Sequence, residues 1–218
     1  MNNVVIDVPC AHLKLTAYPP TVKTSNRTKA TGEVFTPTEL VNEMLDKLPP
    51  ESFLPGKTIL DNSCGNAQFL AQAFIRKSPN YSNVRDIYLD IFGVDLMADN
   101  VADSVARLAV LQEYGIDIID ENAQFKINHP EYADNHDRAW LETNYSSFSR
   151  RYWGELEGVL IDLTITFEYF DNGDAGVFRY TFADGTSFIN SNIVCQDALK
   201  YNYCFEVGKR KKSILELF

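Results

Sequence analysis

Residues 59–70 read Ile-Leu-Asp-Asn-Ser-Cys-Gly-Asn-Ala-Gln-Phe-Leu, and this stretch says most about how the chain folds. Two apolar residues lead into an acid, which is followed by a small polar segment and then by a second apolar series. That order is typical of a buried strand, a tight loop and the start of a helix. Loops of this kind lie at the carboxyl edge of a parallel sheet, where nucleotide-like ligands bind.

The segments around this loop predict a repeated strand–helix pattern. We expect strands over 57–61 and 87–95, and helices over 66–77 and 100–114, the second helix with an apolar stripe. Strands that alternate with helices through short links indicate an α/β fold with a parallel sheet and right-handed crossovers. The parallel pattern resumes at 191–199.

A further helix is expected upstream of the first strand. Thr36-Pro37-Thr38-Glu39 fits a capping box, with Thr36 as N-cap and Pro37 at the first helical position. Pro49-Pro50 is expected to end this helix. Its predicted buried face consists of Leu40, Val41, Met44, Leu45 and Leu48.

The remaining segments define the predicted domain organisation. Residues 1–30 are polar and are interpreted as an N-terminal arm with little core, ahead of one domain over 31–218. Residues 116–190 interrupt the parallel pattern as an insertion. Its second half, 158–190, is β-prone with turn signals at 171–173 and 183–186, which predicts an antiparallel β-meander.

Composition limits the possible classes of function. The chain has 218 residues, 45% of them hydrophobic, and a net charge of -10, which argues against strong DNA binding by this chain alone. No apolar run reaches the roughly 18 residues of a membrane span, and no signal peptide is evident. A cytoplasmic protein without membrane association is therefore expected. The scattered cysteines (Cys10, Cys64, Cys195, Cys204) and histidines (His12, His129, His136) predict reduced thiols and no metal site.

Acidic residues follow three of the predicted strands: Asp61, Asp95 and Asp197. A carboxylate after such a strand can accept hydrogen bonds from a ribose diol, and Asp95 has the appropriate spacing. Asp197, with the backbone at Ala198, could receive an adenine amino group, while Asp61 and the Gly65 turn would face the rest of the ligand. Each acid alone fits an exposed strand end or a helix cap equally well, but the order of all three favours a binding site.

The loop chemistry favours a cationic ligand over a phosphate. It has neither of the glycine-rich patterns that cradle phosphates, and Asp61 would repel a pyrophosphate. S-adenosylmethionine fits better because its amino group and its sulfonium are both positive.

These residues resemble adenine-specific DNA methyltransferases. Gly32-Glu33-Val34-Phe35-Thr36-Pro37 is similar to their G-x-x-F/Y-T/S-P element, and 61–70 is similar to their cofactor loop. Gly93-Val94-Asp95 resembles their second strand with its ribose-binding acid, and 192–199 resembles their third strand. The resemblance implies a Rossmann-like methyltransferase three-layer sandwich, incomplete at the C-terminus, that carries the inserted meander.

The resemblance also implies a set of S-adenosylmethionine contacts. Phe35, Thr36 and Pro37 would flank the methionine end, Asp61 and Gly65 the amino acid moiety, Asp95 the ribose, and Asp197 with Ala198 the adenine. The other candidate cofactor contacts are Ser63, Asn66, Phe69 and Leu96. This sequence has Asn62 where the family has proline, and Ala67 where it has a second glycine, which is expected to crowd the loop.

The family's catalytic element, [DNS]-P-P-[YFW], is absent from these 218 residues, so no catalytic residue is assigned. The nearest string, 128–132, is better interpreted as a turn in the insertion. Three hypotheses stay open: a methyltransferase acting on the exocyclic amine of adenine, a catalytically silent regulatory or inhibitory subunit, and a chain whose protein partner supplies the catalytic loop and target recognition, with DNA bound through that partner. The aromatic residues near Arg150 and Arg151 could stack on bases, but a local core is the commoner role of such residues.

Overall fold

A computed structural model describes residues 34–115, 117, 126–128, 143, 148–156, 158–169, 176–190 and 192–203. The predicted arm over 1–30, the turn at 171–173, the three histidines, Cys10 and Cys204 lie outside the described residues. The domain boundaries drawn above therefore stay predictions. The elements, in chain order, are α1 (Thr38–Leu45), β1 (Ile59–Asp61), α2 (Gln68–Lys77), β2 (Ile91–Asp95), α3 (Ala98–Tyr114), β3 (Lys126–Asn128), β4 (Ser149–Leu156), β5 (Val159–Tyr169), β6 (Gly176–Phe182), β7 (Ser187–Asn190) and β8 (Ile193–Cys195).

Strands β1, β2 and β8 form a parallel sheet in that order, which confirms the predicted α/β class. Its centre depends on Gly93 of β2. A Cβ at this position would lie 2.8 Å from Cδ1 of Leu70 and 3.0 Å from Cδ1 of Ile193. The missing side chain therefore lets α2 pack closely on the sheet.

Strands β3 to β7 form a five-stranded antiparallel sheet in chain order. This sheet packs against α3, where the Tyr152 hydroxyl donates to Asp103 Oδ1 at 2.6 Å and Arg150 Nη1 lies 3.3 Å from the same atom. Because α3 lies between the two sheets, fourteen of its 17 residues are buried rather than one stripe. One hydrophobic core extends across both sheets.

The structure corrects several predicted boundaries. Pro37, not Thr36, is the N-cap of α1, and no side chain caps the helix there. Of the predicted apolar face of α1, Val41 and Leu45 are buried, whereas Leu40 and Met44 are 46% and 45% exposed. The strand expected from residue 87 begins at Ile91, since Val84–Asp90 forms a 3₁₀ helix. Strand β4 was not predicted.

Candidate functional site

A cleft of about 580 Å³ opens at the carboxyl ends of β1, β2 and β8. It contains ten of the twelve predicted cofactor contacts: Phe35, Thr36, Asp61, Ser63, Gly65, Phe69, Asp95, Leu96, Asp197 and Ala198. The carboxyl ends of parallel strands meet at one edge of the sheet, which is why segments so distant in sequence come together. Their individual roles in binding stay predictions.

Two predicted contacts do not line the cleft. Pro37 lies at the N-terminus of α1, and Asn66 is buried, with its carbonyl oxygen accepting a hydrogen bond from Arg107. The lining residues that were not among the predicted contacts are Val34, Asn62, Cys64, Gln68, Met97 and Asn100.

Gly65 joins the two walls of the cleft. Its φ of +53° is in the left-handed region, which glycine adopts without strain. A Cβ built here would lie 2.9 Å from Cε1 of Phe35, so the Phe35 ring packs directly over the glycine. The two sequence elements that predicted the site are therefore in physical contact.

Ala67 also has a positive φ, 66°, at the N-cap of α2. This is the position where a second glycine was expected, and the backbone shows why glycine suits it. Ala67 does not line the cleft and its side chain is buried in the core, and the expected crowding of the loop by its methyl group stays a prediction.

Asp95 holds the cleft together through its carboxylate. Oδ2 accepts a hydrogen bond from the Gly65 amide at 2.9 Å, and Oδ1 accepts from the Met97 amide at 2.8 Å and from Asn100 Nδ2 at 3.2 Å. These contacts fix the loop after β1 and the start of α3 to the end of β2.

Asp61 and Asp197 are held differently. Burial raises the pKa of Asp61, although the Ser63 amide donates to its Oδ1 at 3.0 Å and opposes that effect. Asp197 is more exposed, and its ion pair with Lys200 at 3.1 Å together with the Leu199 amide lowers its pKa. Of these two carboxylates, Asp61 is therefore the one whose ionised form would gain more from a cation in the cleft.

The charged residues that line the cleft are acidic. Its lining includes three aspartates and, among the described residues, no lysine, arginine or histidine. Such a site attracts a cationic ligand and repels phosphate groups. The Cys64 thiol also faces this environment. Burial, reinforced by the charges of Asp95 and Asp61, raises its pKa, so it stays a neutral thiol.

Behind the cleft lies a buried polar network that the sequence analysis missed. Arg107 of α3 forms a two-pronged ion pair with Asp117 and donates to Gln68 Oε1 at 2.6 Å. Gln68 in turn donates to the Thr36 carbonyl oxygen at 3.2 Å. The only sequence signal was a charged residue within the otherwise apolar run of α3, and nothing local identified its partners.

The aromatic residues in β4 and directly before it differ in burial. Phe148 and Tyr152 are buried, which confirms the core interpretation over base stacking, while Trp153 is 39% exposed. Trp153 lines a separate groove of about 620 Å³ with Leu160 and Asp184, and that groove contains none of the predicted site residues. Within the described part of the chain, no group of side chains is arranged to hold a metal ion.

Comparisons with known proteins give one match. A model of the family described as N-6 DNA methylase matches residues 21–142, which include α1, the loop after β1, Asp95 and all of α3. Searches of curated proteins and of solved structures gave no significant match. Among the described helices, none has the length and apolar character needed to cross a membrane.

Proposed function

We propose that the acidic cleft binds S-adenosylmethionine, on the premise that this protein belongs to the N-6 DNA methylase family. The family match covers more than half of the chain. A function related to the methylation of adenine in DNA follows from the family. We also propose the finer architecture that the sequence suggests, a Rossmann-like three-layer sandwich with an inserted meander over 116–190. The cytoplasmic location stays a prediction.

The observation that carries the proposal is the composition of the cleft. Three carboxylates with no lysine, arginine or histidine among the described lining residues favour a ligand that carries positive charge. S-adenosylmethionine has both an ammonium and a sulfonium group. The Gly65 turn lines the cleft, and its missing side chain makes room for the Phe35 ring, which lines the cleft beside it.

Each wall of the cleft suits a different part of this cofactor. We assign the amino acid moiety to Asp61 and Gly65, the ribose to Asp95, and the adenine to Asp197 with Ala198. Phe35 and Thr36 would lie beside the methionine end. Pro37 and Asn66 are expected to act only through the backbone positions that they fix, since neither lines the cleft.

The chemistry of the proposed reaction requires little of this chain beyond binding. When bound, S-adenosylmethionine supplies an electrophilic methyl group, and the exocyclic amine of adenine is the nucleophile. The protein's residues would orient the cofactor, and the buried Phe35 ring, which lines the cleft, would lie beside it. A base in duplex DNA must be flipped out to reach such a site. We propose that a protein partner contributes the groups that hold the flipped adenine.

Calorimetric titration with S-adenosylmethionine tests the cofactor assignment, with ATP as the anionic control. We expect a dissociation constant in the roughly micromolar range typical of enzyme ligands, and no heat with ATP. D61N should weaken binding. D184N is the matched control, because Asp184 also accepts a hydrogen bond from the amide two residues on, Thr186 N, but lies outside the cleft. Folded wild-type protein that gives no heat with S-adenosylmethionine would overturn the assignment.

A second candidate function is a catalytically silent subunit that regulates or inhibits through protein contacts. The net charge of -10 favours it, because an acidic surface repels DNA but can mimic it. Transfer of a tritiated methyl group to unmethylated DNA separates the two. Incorporation that disappears in D61N would eliminate the silent subunit, whereas cofactor binding without incorporation, even in the presence of the partner, would favour it.

A further inference from the structure

Arg107 is a buried cation that the proposed chemistry does not use. Its side chain and that of Asp117 are both 0% exposed, and they form two hydrogen bonds, Nε to Oδ1 at 2.7 Å and Nη2 to Oδ2 at 2.6 Å. Burying two charges costs much of what their attraction returns, so a well-packed apolar pair is often at least as stable. Stability alone is therefore a weak reason for this arrangement.

The third nitrogen of Arg107 points to the cleft. Nη1 donates to Gln68 Oε1 at 2.6 Å and to the carbonyl oxygen of Asn66 at 3.2 Å. Both acceptors belong to the segment that begins with the Gly65 turn. The planar guanidinium fixes the direction of all these bonds, which a lysine ammonium cannot do.

Gln68 extends the network to the opposite wall. Its amide oxygen accepts from Arg107, while its Nε2 donates to the carbonyl oxygen of Thr36 at 3.2 Å. Thr36 lies next to Phe35, whose ring packs over Gly65. One guanidinium thus holds the loop directly and the Phe35–Thr36 segment through a single intervening side chain.

We propose that Arg107 is the positioning residue of the cleft, acting through Gln68 to set the distance between the Gly65 loop and the Phe35–Thr36 wall. The inference rests on the proposed cofactor site and deepens it, because it assigns the shape of that site to a residue that does not touch the ligand.

The chain offers a matched control in Arg150. This arginine is also buried, 4% exposed, and also forms an ion pair on α3, with Asp103 at 3.3 Å. Its Nη1 donates to the Asp99 carbonyl oxygen at 3.4 Å, so this hydrogen bond and the ion pair both join β4 to α3 rather than to the Gly65 loop. R107K and R150K therefore make the same chemical change in similar surroundings, and only the first alters the network behind the cleft.

Hydrogen exchange on the ligand-free protein is the first measurement. In R107K we expect amides of residues 62–68 to exchange about tenfold faster or more than in R150K, at comparable melting temperatures. Q68E separates the two connections. Its carboxylate still accepts from Arg107 but no longer donates to the Thr36 carbonyl, so only the segment around Thr36 should lose protection.

Binding of S-adenosylmethionine is the second measurement. The dissociation constant should rise about tenfold or more in R107K, and should stay near the wild-type value in R150K. Equal exchange of residues 62–68 in R107K and R150K would overturn the positioning role. Wild-type protein that binds no cofactor would instead refute the proposed function, and the exchange comparison would still decide whether Arg107 orders the loop.

Discussion

Replacing Gly65 with alanine perturbs the cleft at the point where its two walls touch. Two effects act together in G65A. The backbone has φ +53°, which an L-residue adopts only with strain, and the new Cβ would lie 2.9 Å from Cε1 and 3.1 Å from Cδ1 of Phe35. The first effect concerns the folded backbone, and the second moves a wall of the proposed cofactor site.

The two effects have different magnitudes and different consequences. A non-glycine residue in the left-handed region costs about 1–2 kcal/mol. Relief of the contact requires the Phe35 ring to move by a few tenths of an ångström, and Phe35 is buried, so the shift passes to the segment beside it. We expect that displacement to weaken S-adenosylmethionine binding by about tenfold or more, which corresponds to about 1.4 kcal/mol.

G185A isolates the backbone effect. Gly185 has φ +86°, and a Cβ there meets no atom within 4 Å. Urea denaturation should show that both variants lose about 1–2 kcal/mol of unfolding free energy, while calorimetry should show weakened cofactor binding in G65A alone. If G65A and G185A bind the cofactor equally well, the contact between Gly65 and Phe35 does not shape the site and the reasoning fails.

Three further expectations concern charge, packing and the contact between the sheets. Burial raises the pKa of Asp61, so its ionised form destabilises the fold at pH values above that raised pKa. D61N should therefore raise the melting temperature at pH 7. Thermal melts across pH should show that this gain shrinks on acidification and vanishes below the ordinary pKa of 3.8. A melting temperature that falls at pH 7 would contradict this. G93A should cost about 1–3 kcal/mol in urea denaturation, because its Cβ would lie 2.8 Å from Leu70 Cδ1 and overpack the sheet; a neutral result would mean that α2 moves freely. Y152F should cost about 1–2 kcal/mol by removing the hydrogen bond to Asp103, without changing cofactor affinity, and a loss of affinity would show that the antiparallel sheet influences the cleft.

Most of the cleft was predictable from sequence because its residues follow a local rule. Asp61, Asp95 and Asp197 each end or follow a strand, and parallel strands bring such positions to one edge. The positive φ of Gly65 likewise agrees with the residue type. Arg107 was not predictable in this way, since its partners are chosen by tertiary packing across 10 to 41 residues of sequence.

The missed elements have physical reasons of the same kind. A half-buried strand is recognised in a sequence by apolar residues that face inward and alternate with polar residues that face outward. Strand β4 departs from this pattern, because Arg150 faces inward and Trp153 faces outward. Its inward arginine is tolerated because Asp103 on α3 pairs with it. The near-complete burial of α3 could not be predicted from the sequence either, because it depends on the antiparallel sheet, which packs against the helix and lies outside the parallel unit.

The location of the bound cofactor is the central claim, and ultraviolet cross-linking of radiolabelled S-adenosylmethionine followed by peptide mapping tests it most directly. We expect saturable label in peptides that contain residues 34–37 or 61–69, competed by unlabelled cofactor and reduced in G65A but not in G185A. Saturable label confined to the groove around Trp153 and Asp184, or no saturable label on folded protein, would contradict the assignment of the acidic cleft as the cofactor site.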